Sequence, residues 1–264
     1  MNVSRFPLVV ALAALSVFAV GSKAQAQSDA KQQYVEVRTY HLGENGDAKA
    51  VDQYLSMALL PALNRQGIRP VGVFTQAPAD KNEQKIVVVT IPYDSADQMT
   101  KVAMELQGDK RYQADAESYL NREPRDAPFA RISSELLVGM KCWPEVTVEK
   151  NVLENKDRVY ELRLYESANE RRGNLKVEMF NNGEVPIFLD CGITPIFIGQ
   201  ALIGPQTPNL TYLTVYPNEE ARGKAWDAFR VHPDWQVLKK VAKYKGTVSK
   251  IDLFVLQPAA YSQM

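Results

Sequence analysis

The sequence has few of the residues that build metal centres and redox sites. Two cysteines (Cys142 and Cys191) and two histidines (His41 and His232) occur in 264 residues. Those counts exclude a cysteine-rich zinc site, and one histidine per half at non-equivalent positions argues against a paired metal site. No metal and no cofactor is expected. An excess of one charge is also missing: Lys and Arg total 31, Asp and Glu total 31, and neither sign forms a long run. Strong attraction to nucleic acid or to an anionic membrane is therefore not indicated. The phosphate-binding glycine patterns are absent, as are the G-x-S-x-G, H-E-x-x-H and Cys–His nucleophile arrangements. Nothing in the sequence is a catalytic signature.

Long apolar runs are scarce. Leu8 to Val20 is an apolar run of 13 residues, short of the roughly 20 that a membrane span needs. Arg5 stands before it, and Ala24-Gln25-Ala26 follows as a small-x-small cleavage pattern. Residues 1–26 therefore read as a signal peptide, which implies a periplasmic or secreted chain with no membrane span after cleavage. In such a compartment Cys142 and Cys191 either pair as a disulfide or stay as buried thiols; sequence separates neither from the other.

What the sequence does have is an internal duplication. At an offset of 125, Glu36, Arg38 and Tyr40 fall on Glu161, Arg163 and Tyr165. At the same offset Pro61, Gly67, Ile68 and Pro70 fall on Pro186, Gly192, Ile193 and Pro195. With one residue removed, Thr90-Ile91 meets Thr214-Val215. Residues 34–41 alternate with period two and predict a strand. Residues 47–66 carry apolar positions at helical spacing, kinked at Pro61 and closed by Gly67. Strands follow at 71–75 and 85–92, then a helix from Ser95 broken near Gly108, then a strand at 132–139. The second half repeats this with strands 158–165, 195–200, 210–216 and 249–256, and helices at about 170–191 and 218–245, the latter broken at His232-Pro233. The order βαββαβ is the ferredoxin-like arrangement. The organisation expected is a first repeat at 27–142, a linker at 143–156 with a short strand at Val146–Val148, and a second repeat at 157–264.

An open ferredoxin-like sheet needs a cover for its free face. A second copy in the same chain supplies one, giving an α+β fold of two repeats packed sheet to sheet as an intrachain barrel. The alternation puts Val35, Val37, Leu162 and Leu164 under the helices. Glu36, Arg38, Tyr40, Glu161, Arg163 and Tyr165 then face the barrel interior. Buried charges must pair, so these residues either close the barrel with a structural ion-pair network or line a ligand pocket. His232, at the helix break, is a further ligand-binding candidate on account of its titration near neutral pH, with capping as the plainer role. Trp226, Phe229 and Trp235 read as core.

Val159-Tyr160-Glu161-Leu162-Arg163-Leu164-Tyr165, the segment Gly192-Ile193-Thr194-Pro195-Ile196, and Lys224-Ala225-Trp226-Asp227-Ala228-Phe229 followed by His232-Pro233-Asp234-Trp235-Gln236 resemble the NIPSNAP family. The first half carries the strand as Val35-Glu36-Val37-Arg38-Thr39-Tyr40, but its later helix lacks the tryptophans. The resemblance implies a dimeric α/β barrel, here with both halves in one chain, and leaves room for a homo-oligomer. It implies no reaction. Two readings follow: a non-catalytic protein that binds a small apolar or aromatic molecule or a protein partner, or a cofactor-independent monooxygenase- or isomerase-like enzyme with its site in the barrel interior.

Overall fold

Period-two alternation forms β1 (Tyr34–His41) as expected. The computed structural model describes residues 31–264, so the expected signal peptide at 1–26 lies outside the described residues. After β1 come α1 (Ala48–Tyr54), a π-helical turn at Leu55–Leu59, α2 (Leu60–Arg65), β2 (Gly72–Gln76) and β3 (Ile86–Tyr93). The first repeat ends with α3 (Ala96–Gly108), α4 (Lys110–Asp115), α5 (Glu117–Leu120) and β4 (Arg131–Gly139). Helix α6 (Lys150–Glu154) stands between the repeats. The second repeat runs β5 (Val159–Glu166), α7 (Glu170–Met179), a π turn at Phe180–Glu184, α8 (Val185–Asp190), β6 (Thr194–Ile203) and β7 (Asn209–Tyr216). It closes with α9 (Glu219–Val231), α10 (Pro233–Leu238) and β8 (Lys250–Pro258). No strand forms at Val146–Val148; Thr147 N donates singly to Ile196 O at 2.9 Å.

The kink expected at Pro61 takes a specific form. In each repeat one wide π turn sits just before the proline, and the helix then continues through Pro61 or Pro186. Proline lacks an N–H and its ring crowds the carbonyl four residues back; the wider turn relieves both. Gly67 and Gly192 follow the two helices at φ +78° and +77°, the left-handed C′ conformation that favours glycine.

Both repeats order their strands alike, β4-β1-β3-β2 and β8-β5-β7-β6. Pairing of β2 with β8 and of β4 with β6 joins them into a closed, fully antiparallel eight-stranded barrel with no free edge. The register corrects one detail of the duplication. Glu36 pairs with Ile91 and Glu161 with Thr214, so Ile91, not Thr90, occupies the place of Thr214.

The two faces of the sheet are also the reverse of the expectation. Val35, Val37 and Leu162 join Phe74, Val88, Leu137, Tyr160, Leu213 and Leu256 in one cluster drawn from both repeats, which fills the barrel. Glu36, Arg38, Tyr40, Glu161, Arg163 and Tyr165 instead lie on the outer face, beneath the helices. Alternation shows which residues share a face but not which face is which. Strands enclose the barrel interior all round, whereas the helix layer has gaps: the Arg38 and Arg163 side chains keep 25% and 15% of their exposure there. A long cation can snorkel through such gaps and stay hydrated.

One barrel end is plugged. Met264 is fully buried in the interior cluster, and the Thr90 hydroxyl donates to its Sδ at 3.2 Å. Gly72 permits this close approach, since a Cβ there would stand 2.4 Å from Thr90 Oγ1 and 2.8 Å from Met264 Sδ.

Candidate functional site

The six candidates on β1 and β5 fall into two equivalent places, each between the sheet and the helix after its third strand. Spacing of two along a strand sets Glu and Arg side by side, and they pair along the strand. Arg38 Nε donates to Glu36 Oε1 at 2.8 Å and Arg38 Nη2 to Oε2 at 3.2 Å. The Tyr93 and Ser134 hydroxyls also donate to Glu36, at 3.2 and 2.8 Å. In the second repeat Arg163 Nε donates to Glu161 Oε1, and Arg163 Nη1 to the Tyr165 hydroxyl at 3.3 Å. Both glutamates are buried and fully engaged. Tyr40 is buried edge-on to Phe129, with ring centroids 5.7 Å apart, and is a packing residue.

The repeats diverge one layer out. Helices α3 and α9 each have 13 residues and begin on a capping side chain, Ser95 and Asn218. That alignment puts Trp226 at the place of Ala103, Arg222 at Met99 and Phe229 at Leu106. In the second repeat the Trp226 ring covers the Arg163 guanidinium, Cζ lying 3.7 Å from the centroid, a cation–π stack. Arg222 reaches Glu161 as a second cation. Trp226 is buried with Phe188 and Phe229 around it, so that space is full.

In the first repeat the same space is open. A cleft of about 280 Å³ is lined by Glu36, Arg38, Met99, Ala103, Tyr112 and apolar side chains that include Leu59, Leu63 and Leu106. Two of the five N–H groups of Arg38 serve Glu36 and the Tyr40 hydroxyl also faces the guanidinium, so at most three donors are left. The cleft thus combines apolar walls, a planar cation and spare donors.

A buried ion pair sits beside the second π turn. Lys176 Nζ is 2.6 Å from Glu184 Oε2, with side-chain exposures of 6% and 2%. The ammonium also lies 4.8 Å from the Phe180 ring centroid and 5.4 Å from that of Tyr165. Burial pushes the Glu184 carboxyl up, against the pull of Lys176 and Arg163. Val51 and Leu59 hold these places in the first repeat, both buried.

At the barrel end away from Met264, a second cavity of about 300 Å³ opens among Thr39, His41, Glu135, Thr211, Asp252 and their neighbours. A wider groove of about 930 Å³ on the outside, near Arg69, Lys156 and Arg158, is open surface with no converging buried group.

His232 does not join any of these places. It is the N-cap of α10, with Asp234 N donating to Nδ1 at 3.3 Å, and it approaches Asp190 at 4.0 Å. Cys142 and Cys191 are free thiols, and burial pushes Cys142 up to about 12. Among the described residues no group of three or more His, Cys, Asp or Glu could hold a metal ion, and no helix is long and apolar enough to cross a membrane.

Lys176, Glu184 and Glu135 escaped the sequence reading, although each left a signal. Lys176 and Glu184 are polar where the aligned twin is apolar. Glu135 shares its strand face with Leu137, two residues on.

The NIPSNAP family profile matches residues 160–263, the second repeat. No curated protein sequence matches the chain. Solved structures that cover most of the chain include two from bacteria. One, from Fusobacterium nucleatum and provisionally described as a monooxygenase, is 10% identical with a TM-score of 0.56, covering 87% of this chain and 93% of that one. The other, from Lactobacillus acidophilus and described likewise, is 10% identical with a TM-score of 0.55, covering 86% of this chain and 94% of that one. An uncharacterised NIPSNAP-like domain protein from Burkholderia xenovorans is 16% identical over 40% of this chain and 90% of its own, with a TM-score of 0.37. At these identities the likeness is one of fold.

Proposed function

We propose that this chain, which belongs to the NIPSNAP family by its second repeat, binds a small planar aromatic molecule in its first repeat, the ring lying over Arg38. One observation carries the reading: the place that Trp226 fills over Arg163 is a cleft of about 280 Å³ over Arg38. The second repeat thereby displays the missing occupant, a two-ring aromatic. An engineered apolar cavity of roughly 150 Å³ takes benzene, so the volume suits one or two rings. The spare Arg38 donors favour a ring bearing an acceptor oxygen, such as a phenol or a quinone.

Binding is favoured over turnover by the lining itself. Glu36 already accepts from Arg38, Tyr93 and Ser134, and no histidine or cysteine lines the cleft, so no free general base faces the ring. This reading includes export by the segment 1–26, in a periplasmic or secreted setting.

The test is titration with 1-naphthol and indole. One site per chain is expected, with no oxygen uptake. Arg38→Lys keeps a cation for Glu36 but loses the planar stack and the fork of donors. Its expected effect is a loss of affinity of about twofold to thirtyfold, from a cation–π contribution of roughly 0.5–2 kcal/mol. Oxygen uptake abolished by the same change would assign the cleft to an oxygenase instead. Unchanged affinity would remove Arg38 from the site.

A further inference from the structure

The barrel cavity at the end away from Met264 lies outside the aromatic cleft, and its charges do not balance. Glu135 is 5% exposed and accepts only from neutral donors, Asn209 Nδ2 at 2.5 Å and Thr211 Oγ1 at 3.0 Å. The loop after β6 packs directly on it: a Cβ on Gly204 would stand 2.9 Å from Glu135 Cγ. Lys250, the one lysine or arginine in the cavity lining, is otherwise committed. Lys250 pairs with Asp252 at 3.0 Å, and Gln206 Nε2 donates to the same carboxylate at 2.7 Å. His41 shares a hydrogen bond with Ser133 at 2.8 Å; burial and then Arg131 lower its pKa, so its ring is neutral at pH 7. Among the described residues no cation stands within ion-pair distance of Glu135.

We propose that this end of the barrel is a second binding site, for a small primary alkylamine whose ammonium head pairs with Glu135 and whose tail lies on Val37, Leu162, Leu164 and Phe254. Those four apolar side chains line the cavity beside the polar group, and a volume of about 300 Å³ holds a short chain rather than a lipid. A buried carboxyl without a cation is costly. Burial holds Glu135 above the usual carboxylate range, and an incoming ammonium supplies the missing partner. An anionic ligand would meet Glu135 and Asp252 and is excluded by like charge.

The experiment uses the full chain with n-butylamine, 1-butanol and pentanoate as probes, read by calorimetry. In parallel, the wild-type Glu135 carboxyl carbon is followed by NMR with labelled glutamate. Butylammonium is expected to bind at one site and shift the Glu135 carboxyl signal, with butanol at least tenfold weaker and pentanoate silent. Glu135→Gln, which keeps shape and removes charge, should weaken the amine at least tenfold. Ala103→Trp, which closes only the aromatic cleft, should leave it unchanged. Pentanoate binding as well as butylamine, or amine binding that neither moves the Glu135 signal nor responds to Glu135→Gln, would overturn the assignment. Because the NMR readout needs no substitution, it decides the question even if Glu135→Gln fails to fold. Failure of the amine site leaves the aromatic cleft untouched, and the reverse holds too.

Discussion

Replacing Lys176 with valine should lower the unfolding free energy by about 3–5 kcal/mol, because it strands the buried Glu184 carboxylate without its cation. Both partners are nearly inaccessible, 2.6 Å apart, and enclosed by the rings of Phe180 and Tyr165. Water cannot take over the role of Lys176. The first repeat shows the remedy, since Val51 and Leu59 stand at the same places and are fully buried. Lys176→Val combined with Glu184→Leu should therefore recover most of the loss, since apolar replacement of a whole buried pair is often neutral or stabilising. Urea unfolding of the two single changes and the double one measures this. A single change costing less than about 1 kcal/mol would show that the pair is hydrated in solution.

Trp226→Ala should cost about 3–5 kcal/mol, the range for removing a large buried aromatic. Its indole N–H has no hydrogen-bond partner, so the loss comes from packing and from the stack on Arg163 rather than from a broken hydrogen bond. The same change recreates the first-repeat arrangement over Arg163. The second repeat should then take up indole, and the stoichiometry should rise from one to two per chain. A destabilised protein that still binds a single indole would mean that the new cavity collapses instead of opening.

Much of the fold could be read from residue order alone. The matched Glu-x-Arg-x-Tyr strands, the two prolines and the two glycines marked the duplication, and period-two alternation gave β1 and β5 their extent. The reading failed where only three-dimensional context decides. Val35 and Glu36 alternate identically whether the barrel lies on one side or the other. Assigning the charged face to the interior therefore moved all six candidates to the wrong side of the sheet. The one-residue error at Thr90 has the same origin, since a slip of one flips a strand's face without spoiling its pattern. The paired charges themselves were legible, and so was the loss of the tryptophans from the first repeat. What that loss leaves behind was not, because a missing side chain becomes a cavity only when its neighbours fail to close in. Leu106 stands where Phe229 does and Met99 where Arg222 does, and neither reaches the space over Arg38. Glu135 was hidden differently. It is one carboxylate in an otherwise ordinary strand, and its isolation depends on which loops fold over the barrel end.

The central claim is that the first repeat holds open the place that a tryptophan fills in the second. Titration of the Ala103→Trp variant with indole tests it most directly, alongside a urea unfolding curve. The account predicts a chain at least as stable as the original, since the new ring buries apolar surface and stacks on Arg38, and no indole binding. Indole binding of unchanged affinity in a folded Ala103→Trp protein would contradict it.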